Sequence, residues 1–457
     1  MKTAISQVTF AALLACAVTA HAQQANAPAK PAAPAKPAAA TAPAKQAGTA
    51  PAAAPAAVAA APKETAGQTV RVAFIDPLSG PFGNVGQSIL KHWQFIADRY
   101  AGNKNPAGVK LEFVGFDGKG LPQDSLNALK AATDQGFRYV TQGNGSGVAH
   151  ALLDAINKHN ERNPGKEIVF INYAAVDPAL TNEKCSFWHF RLDADTSMKM
   201  EALTSFMKDE PKVKKVYLIN QNYAHGHQVA HFFKDGIKRK RPDVQIVGED
   251  LHPLGQVKDF APYVAKIKAS GADAVVTGNW GTDMTLLVKA FNDAGLTIPI
   301  YAYYASVTGT PTALAQSRGI DVSQVGIAHS THTGEYGNIR REFKEKFKED
   351  FYVPQTYYGV QLLTQAMANA KSTDPAKVAH ALSGLSVKGG VGGEITIRKT
   401  DHQLQQHLYI AKWTKAAPGG PSEENTGFNF APVKALEPYV SSTPTSCQMQ
   451  RPPASRS

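Results

Sequence analysis

Past residue 22 the sequence has no apolar run near the roughly 20 residues that span a bilayer, so no transmembrane helix is expected there. Cysteine is scarce, three in 457 residues, which allows one disulfide at most. Basic residues outnumber acidic ones, 48 to 37, for a net charge of +11, but they are scattered. The one tight run, Lys238-Arg239-Lys240-Arg241, reads as the solvated end of a helix. No interleaving of basic and aromatic residues marks a nucleic-acid platform, so nucleic acid is not an expected partner. Two enzymatic signatures are also missing. Gly143, Gly145 and Gly147 are spaced Gly-x-Gly-x-Gly, whereas the dinucleotide fingerprint needs glycine at 148, where Val148 stands. Ser146 is flanked two residues away by Asn144 and Val148, not by the glycines of a nucleophile elbow. His227 and His231 lie one helical turn apart, but no Cys or carboxylate is close in sequence. Together with His225 they read as exposed histidines or as support behind a site. No metal, cofactor or catalytic residue is expected, and the chain is not read as an enzyme.

The N-terminus carries export features. Lys2 is followed by an apolar run from Val8 to Thr19 and then Ala20-His21-Ala22, which together make a signal peptide over 1–22 with Gln23 as the mature start. Leu13-Leu14-Ala15-Cys16 is a competing lipoprotein site that would leave a lipid anchor on Cys16. Either way Cys185 and Cys447 remain, and two cysteines in an oxidising compartment most simply form one disulfide. Residues 23–67 are nearly all Ala, Pro, Lys and Thr and lack large apolar side chains, so they read as a disordered or PPII-like linker.

From Val70 the texture changes. Strand patterns at 70–75, 110–116, 137–140 and 167–172 alternate with helical patterns at 86–100, 124–135 and beyond Gly147. A second series follows, with strands at 214–219, 244–248, 272–277 and 299–303 and helices between them. Strict β/α alternation with short connections predicts an α/β fold with doubly wound parallel sheets. Two such series predict two lobes, 68–192 with 325–392 and 193–324 with 393–415. Val325–His329 reads as a strand returning to the first lobe, 394–398 with 406–413 as a hairpin, and 416–457 as an irregular tail.

Loops rich in Gly, Asn, Ser or Tyr follow the strands at 76–86, 143–149, 172–177, 220–226, 278–283 and 304–310. Ligands of open α/β sheets bind beyond the carboxyl ends of strands, so these loops predict an interlobe cleft. Thr141–Ala149 is a glycine-rich turn opening a helix, where backbone N–H groups and the helix dipole suit a carboxylate. Closing residue 147 with a side chain (Gly147→Val) is expected to abolish binding. Asp76, Asp117 and Asp177 each follow a strand and read as turn residues. Tyr301, Tyr303 and Tyr304 cannot all face one side of a strand, so at least one should reach the cleft. His329 and His332, just after a strand, put one histidine in reach of it.

At these same loops the chain resembles the leucine/isoleucine/valine-binding proteins, the type I periplasmic solute-binding proteins of ABC importers. The likeness runs over about 69–415. It is carried by Val72-Ala73-Phe74-Ile75-Asp76-Pro77-Leu78-Ser79-Gly80-Pro81, by Asn172-Tyr173-Ala174-Ala175-Val176-Asp177-Pro178, by Asn222-Tyr223-Ala224-His225-Gly226 and by Asp259-Phe260 with 269–273. The resemblance implies two Rossmann-like lobes joined by a hinge and closing on a ligand. It places Asn144, Ser146 or Gly147, Ala174, Val176, Tyr223, Trp280, Tyr304 and Val85 at ligand-facing positions. The family's Thr is Val176 here, and its ammonium-pairing Glu aligns with Tyr304; Asp283 or Glu335 would have to substitute. The implied ligand is a small carboxylate with an apolar or aromatic body, an α-amino acid included. The implied setting is the periplasm, with a permease of the inner membrane as partner and a monomeric receptor. A sensor on the same fold and an exported α/β hydrolase are the alternatives.

Overall fold

The computed structural model describes residues 61–453. The signal-peptide reading, Cys16 and residues 23–60 of the linker lie outside them. The linker ends earlier than its composition suggests. Residues 62–67 form a turn in which Thr65 is buried and donates its hydroxyl to the Ala107 carbonyl at 2.7 Å. Gly67 N–H donates to the Gly108 carbonyl at 2.9 Å.

The first sheet holds β1 (Thr69–Asp76), β2 (Lys110–Asp117), β3 (Tyr139–Gln142), β4 (Val169–Asn172) and β5 (His189–Arg191), in the order β2-β1-β3-β4-β5 and all parallel. Every residue of β3, β4 and β5 is buried, as expected when helices cover both faces of a parallel sheet. Helices α1 (Gly83–Arg99), α2 (Pro122–Asp134) and α3 (Ser146–Arg162) connect these strands. In α1 the apolar face is Val85, Ile89, Trp93 and Ile96, all buried at helical spacing. Burying each such side chain contributes about 1.5–3 kcal/mol.

The chain then crosses over. Helix α4 (Thr196–Met207) is capped by Asp195, whose carboxylate accepts the Met198 N–H at 2.9 Å. The second sheet contains β6 (Lys215–Gln221), β7 (Gln245–His252), β8 (Ala274–Thr277), β9 (Ile300–Ala302) and β10 (Val322–Gly326). Between them lie α5 (Ala224–Lys240), α6 (Ala261–Ala269), α7 (Gly281–Asp293) and α8 (Thr310–Ala315). Helices α9 (Gly334–Phe347), α10 (Pro354–Ala370) and α11 (Pro375–Leu382) follow, and α9 packs Phe343 on His92 and Phe95 of α1.

Three sequence expectations are corrected here. The strand expected at 325–329 is β10, which pairs parallel with β9 and so belongs to the second sheet. The return toward the first sheet is made by helices instead. Residues 394–398 and 406–413 are not one hairpin. β11 (Ser386–Gly390), β12 (Gly393–Ile397) and β13 (Leu404–Gln405) form a small separate sheet, while β14 (Leu408–Lys415) pairs antiparallel with β10. The tail is not irregular throughout, since β15 (Phe428–Leu436) forms the edge of the second sheet against β14. Pro432 hides it in the sequence. Its register with β14 shifts between Ile410 and Ala411, and an edge strand with a bulge tolerates proline.

The disulfide is present. Cys185 and Cys447, 262 residues apart with Cα atoms 5.7 Å apart, are bonded. It fixes the segment after β15 to the first-sheet half, beside the Thr445 hydroxyl, which donates to the Thr181 carbonyl at 2.8 Å. No helix among the described residues is long and apolar enough to cross a membrane.

Candidate functional site

The carboxyl ends of β1, β3 and β4 carry Asp76, Gln142 and Asn172, and those of β6, β8 and β9 carry Gln221, Thr277 and Ala302. The loops that follow enclose one cavity. The space open in it to the centres of water-sized spheres is about 80 Å³. One water needs about 10–15 Å³ on that measure, so there is room for on the order of six water-sized groups. That suits a small solute.

Of the residues singled out from the sequence, Val85, Asn144, Ser146, Ala174, Val176, Tyr223, Trp280 and Tyr304 line this cavity. Gly147 does not. It is exposed, and a Cβ there would stand in open space, so a side chain at 147 does not close the cavity as the sequence suggested. Gly143 is the crowded glycine, where a Cβ would meet the Tyr173 ring at 2.5 Å.

The glycine loop is held from below by Asp76. Its carboxylate accepts the Gly143 N–H at 3.2 Å, the Asn144 N–H at 2.9 Å and the Tyr173 hydroxyl at 2.7 Å. Asp76 is therefore not the turn residue its Asp-Pro sequence suggests; it is buried beneath the loop. Burial pushes its carboxyl up to about 7, against the hydrogen bonds from Tyr173, Asn144 and Gly143 that lower it. Two amides of the expected anion cradle are thus already satisfied. Those of Ser146, Gly147 and Val148, in the first turn of α3, have no acceptor among the described residues. Gly145 precedes them at φ +94°, a conformation that favours glycine. Asp117 and Asp177 do serve turns: Asp117 accepts the Leu78 and Lys119 N–H groups, and Asp177 accepts the Ala179 N–H.

The facing wall is aromatic. Trp280 donates Nε1–H to the Tyr223 hydroxyl at 2.9 Å. The Tyr304 hydroxyl lies 3.1 Å from Lys199 Nζ and 3.3 Å from Asp193 Oδ2, and these two ions pair at 2.7 Å, fully buried. Tyr301 and Tyr303 are core residues, so Tyr304 is the one that reaches the cavity. The two halves touch across the cleft mouth. Phe82 packs against Trp280 with ring centroids 4.2 Å apart and planes tilted by 32°, and Thr282 donates its hydroxyl to the Pro81 carbonyl at 2.9 Å. A Cβ on Gly255 would stand 2.8 Å from the Phe82 ring, so glycine there makes the notch that Phe82 fills.

Several lining residues were missed. His225 is buried in the lining, not exposed or behind it, with Nδ1 2.9 Å from the Thr196 hydroxyl. Burial lowers its pKa to about 3, so the ring is neutral. Its place in the first turn after Tyr223 was the available signal. His227 and His231 are exposed. Tyr352 comes from the connection into α10 and Gln355 from its first turn, where no motif announces them. His329 does not line this cavity. Asp283 accepts from Gln221 at 2.8 Å and Gly255 at 2.9 Å, and Glu335 pairs with Arg99; neither lines the cavity. No Asp, Glu, Lys or Arg is among the lining residues.

A two-lobed α/β fold with an uncharged cleft at its strand ends has the architecture of a small-solute receptor. The chain belongs to the type I periplasmic binding protein family: the family model described as "Periplasmic binding protein" matches residues 69–418. It is 30% identical over 402 residues to Leu/Ile/Val-binding protein homolog 4 of Brucella abortus, covering 84% of this chain and 94% of that protein. Its fold matches a leucine-, isoleucine-, valine-, threonine- and alanine-binding protein from Brucella ovis in its closed conformation. That match has 28% identity and a TM-score of 0.72 and covers 84% of this chain and 100% of that one. A solute-binding protein of an ABC transporter from R. palustris, solved with benzoate, has 20% identity and a TM-score of 0.69, covering 83% of this chain and 99% of that one.

Proposed function

We propose that the protein is the solute-binding component of an ABC import system, taking a small carboxylate with an apolar or aromatic body and closing its two lobes upon it. Its partner on this reading is a permease of the inner membrane, and it acts as a receptor in the periplasm, not as an enzyme. The observation that carries the ligand class is the lining itself. It offers the unpaired amide of Ser146, at the head of α3, for a carboxylate, and no carboxylate for an ammonium. An ammonium buried there without an anion would cost several kcal/mol. The ligand-facing set is Val85, Asn144, Ser146, Ala174, Val176, Tyr223, Trp280 and Tyr304, with His225 added and Gly147 left out.

A second reading, an α-amino acid ligand, is favoured by the branched-chain amino acids for which the Brucella relatives are named. Calorimetric titration with benzoate and with leucine separates the two. The first reading expects benzoate to bind at least about tenfold tighter than leucine; nanomolar leucine binding overturns it. Trp280 lies on the cleft, so its fluorescence reports closure on either ligand.

A further inference from the structure

Behind Ser306 and Tyr352, which also line the main cavity, lies a smaller chamber of about 30 Å³ on the same measure. That is room for roughly two water-sized groups. Its wall is polar where the main cavity is uncharged, since His329, Ser330, Arg340 and Glu423 face it. Glu423 comes from the segment after β14 and lies outside the residues matched by the family model. Its side chain is 3% exposed. One oxygen, Oε1, accepts from Arg340 Nη2 at 3.0 Å and from the Ser330 hydroxyl. The other, Oε2, is buried with no partner among the described residues. A buried acceptor left without a donor is costly, and native structures usually supply one.

Glu423 is also firmly placed. Its neighbour Glu424 accepts the Gly309 N–H at 2.6 Å and the Thr312 N–H at 2.9 Å, which anchors the segment on the start of α8. Lys344 of α9 bonds Asp350 at 2.8 Å and donates to the Ser422 carbonyl. The carboxylate is therefore held against the chamber by both halves of the molecule.

We propose that the chamber is a subsite for the far end of the ligand. In it, Glu423 Oε2 accepts a hydrogen bond from a hydroxyl or amine that the ligand carries opposite its carboxylate. The inference rests on the carboxylate reading above and narrows it to acids with a distal donor.

Calorimetry on two pairs tests it: benzoate against 4-hydroxybenzoate, and hexanoate against 6-hydroxyhexanoate. The hydroxylated member of at least one pair should bind about tenfold tighter, the gain expected of a hydrogen bond to a charged acceptor. Glu423→Leu should erase that ratio while the plain acid keeps its affinity. Because this change also strips Arg340 of its partner, Ala328→Leu is the second variant. It narrows the chamber from a residue that does not line the main cavity, and should erase the ratio too. Equal affinities within both pairs, or a ratio that survives both variants, overturn the subsite and leave a chamber that holds water only. Failure of all four acids to bind, with leucine binding, overturns the carboxylate reading and the subsite with it.

Discussion

The two walls of the cavity are built from different materials. On the first-sheet side the surface is largely backbone and small side chains, Gly143 to Ser146 and Ala174 to Val176. On the second-sheet side it is rings: Tyr223, His225, Trp280 and Tyr304. A backbone wall owes its polar capacity to conformation, so it is harmed by adding atoms. A ring wall owes its shape to side chains held in hydrogen bonds, so it is harmed by removing them.

The largest effect should come from adding atoms to the backbone wall. Gly143→Val drives a branched side chain into Tyr173, which a Cβ alone would already approach to 2.5 Å. Tyr173 and Asp76 hold the loop, so ligand affinity should fall more than about a hundredfold, with about 1–3 kcal/mol lost from stability by overpacking. Calorimetry and urea unfolding measure both. Unchanged affinity would mean that the loop does not hold the ligand.

The disulfide joins the halves to which the walls belong. Cys185→Ser should cost about 2–4 kcal/mol in urea unfolding, since the bond closes a long loop in the unfolded chain. Ligand affinity should change far less, because neither cysteine lines the cavity. A large loss of affinity would show that the tail shapes the cleft.

Asp76 makes the backbone wall sensitive to pH. Its carboxyl titrates near 7 in the fold, against 3.8 when unperturbed. Between those values the folded state holds a proton that the unfolded state has lost. Stability therefore falls as pH rises from about 4 to about 7, by an amount on the order of a few kcal/mol. Asp76→Asn should remove that part of the slope. Thermal unfolding of both proteins across pH 4–8 checks the sign, and identical slopes would place the ionisation elsewhere.

On the ring wall, Trp280→Phe keeps most of the apolar surface and deletes the Nε1–H bond to Tyr223. A neutral hydrogen bond contributes about 0.5–1.5 kcal/mol, so affinity should weaken roughly three- to tenfold. A loss as large as that of Gly143→Val would erase the distinction between the walls.

The same contrast explains what could be read before the structure. The ring wall was legible because Tyr223 and Trp280 stand in strand-end loops, where a large aromatic has few structural reasons to be. The backbone wall was legible in position, from glycine spacing, but not in detail. Asp76 sits in an Asp-Pro pair that looks like any turn, and only the fold brings it under a loop 67 residues away. The alternating strands and helices of both sheets followed from apolar periodicity. β15 did not, because Pro432 and its register shift break the pattern that marks a strand. Glu423 was illegible for the same reason, lying in a Pro-, Gly- and Ser-rich stretch whose partners are Ser330 and Arg340, far back in the chain.

The smallest effect should come from Gly147, the residue from which the sequence alone expects the most. Its N–H lies in the first turn of α3 among the amides without acceptors, but its Cα faces open space. A side chain there adds atoms to the backbone wall without adding them to the cavity. Gly147→Val should keep affinity within about twofold, with helix propensity shifting stability by a few tenths of a kcal/mol. Paired with Gly143→Val, it asks whether the wall fails because a glycine is lost or because a particular space is filled. If both variants lose binding equally, the first turn of α3 moves when the ligand enters, and the open space at Gly147 is where the ligand's carboxylate goes.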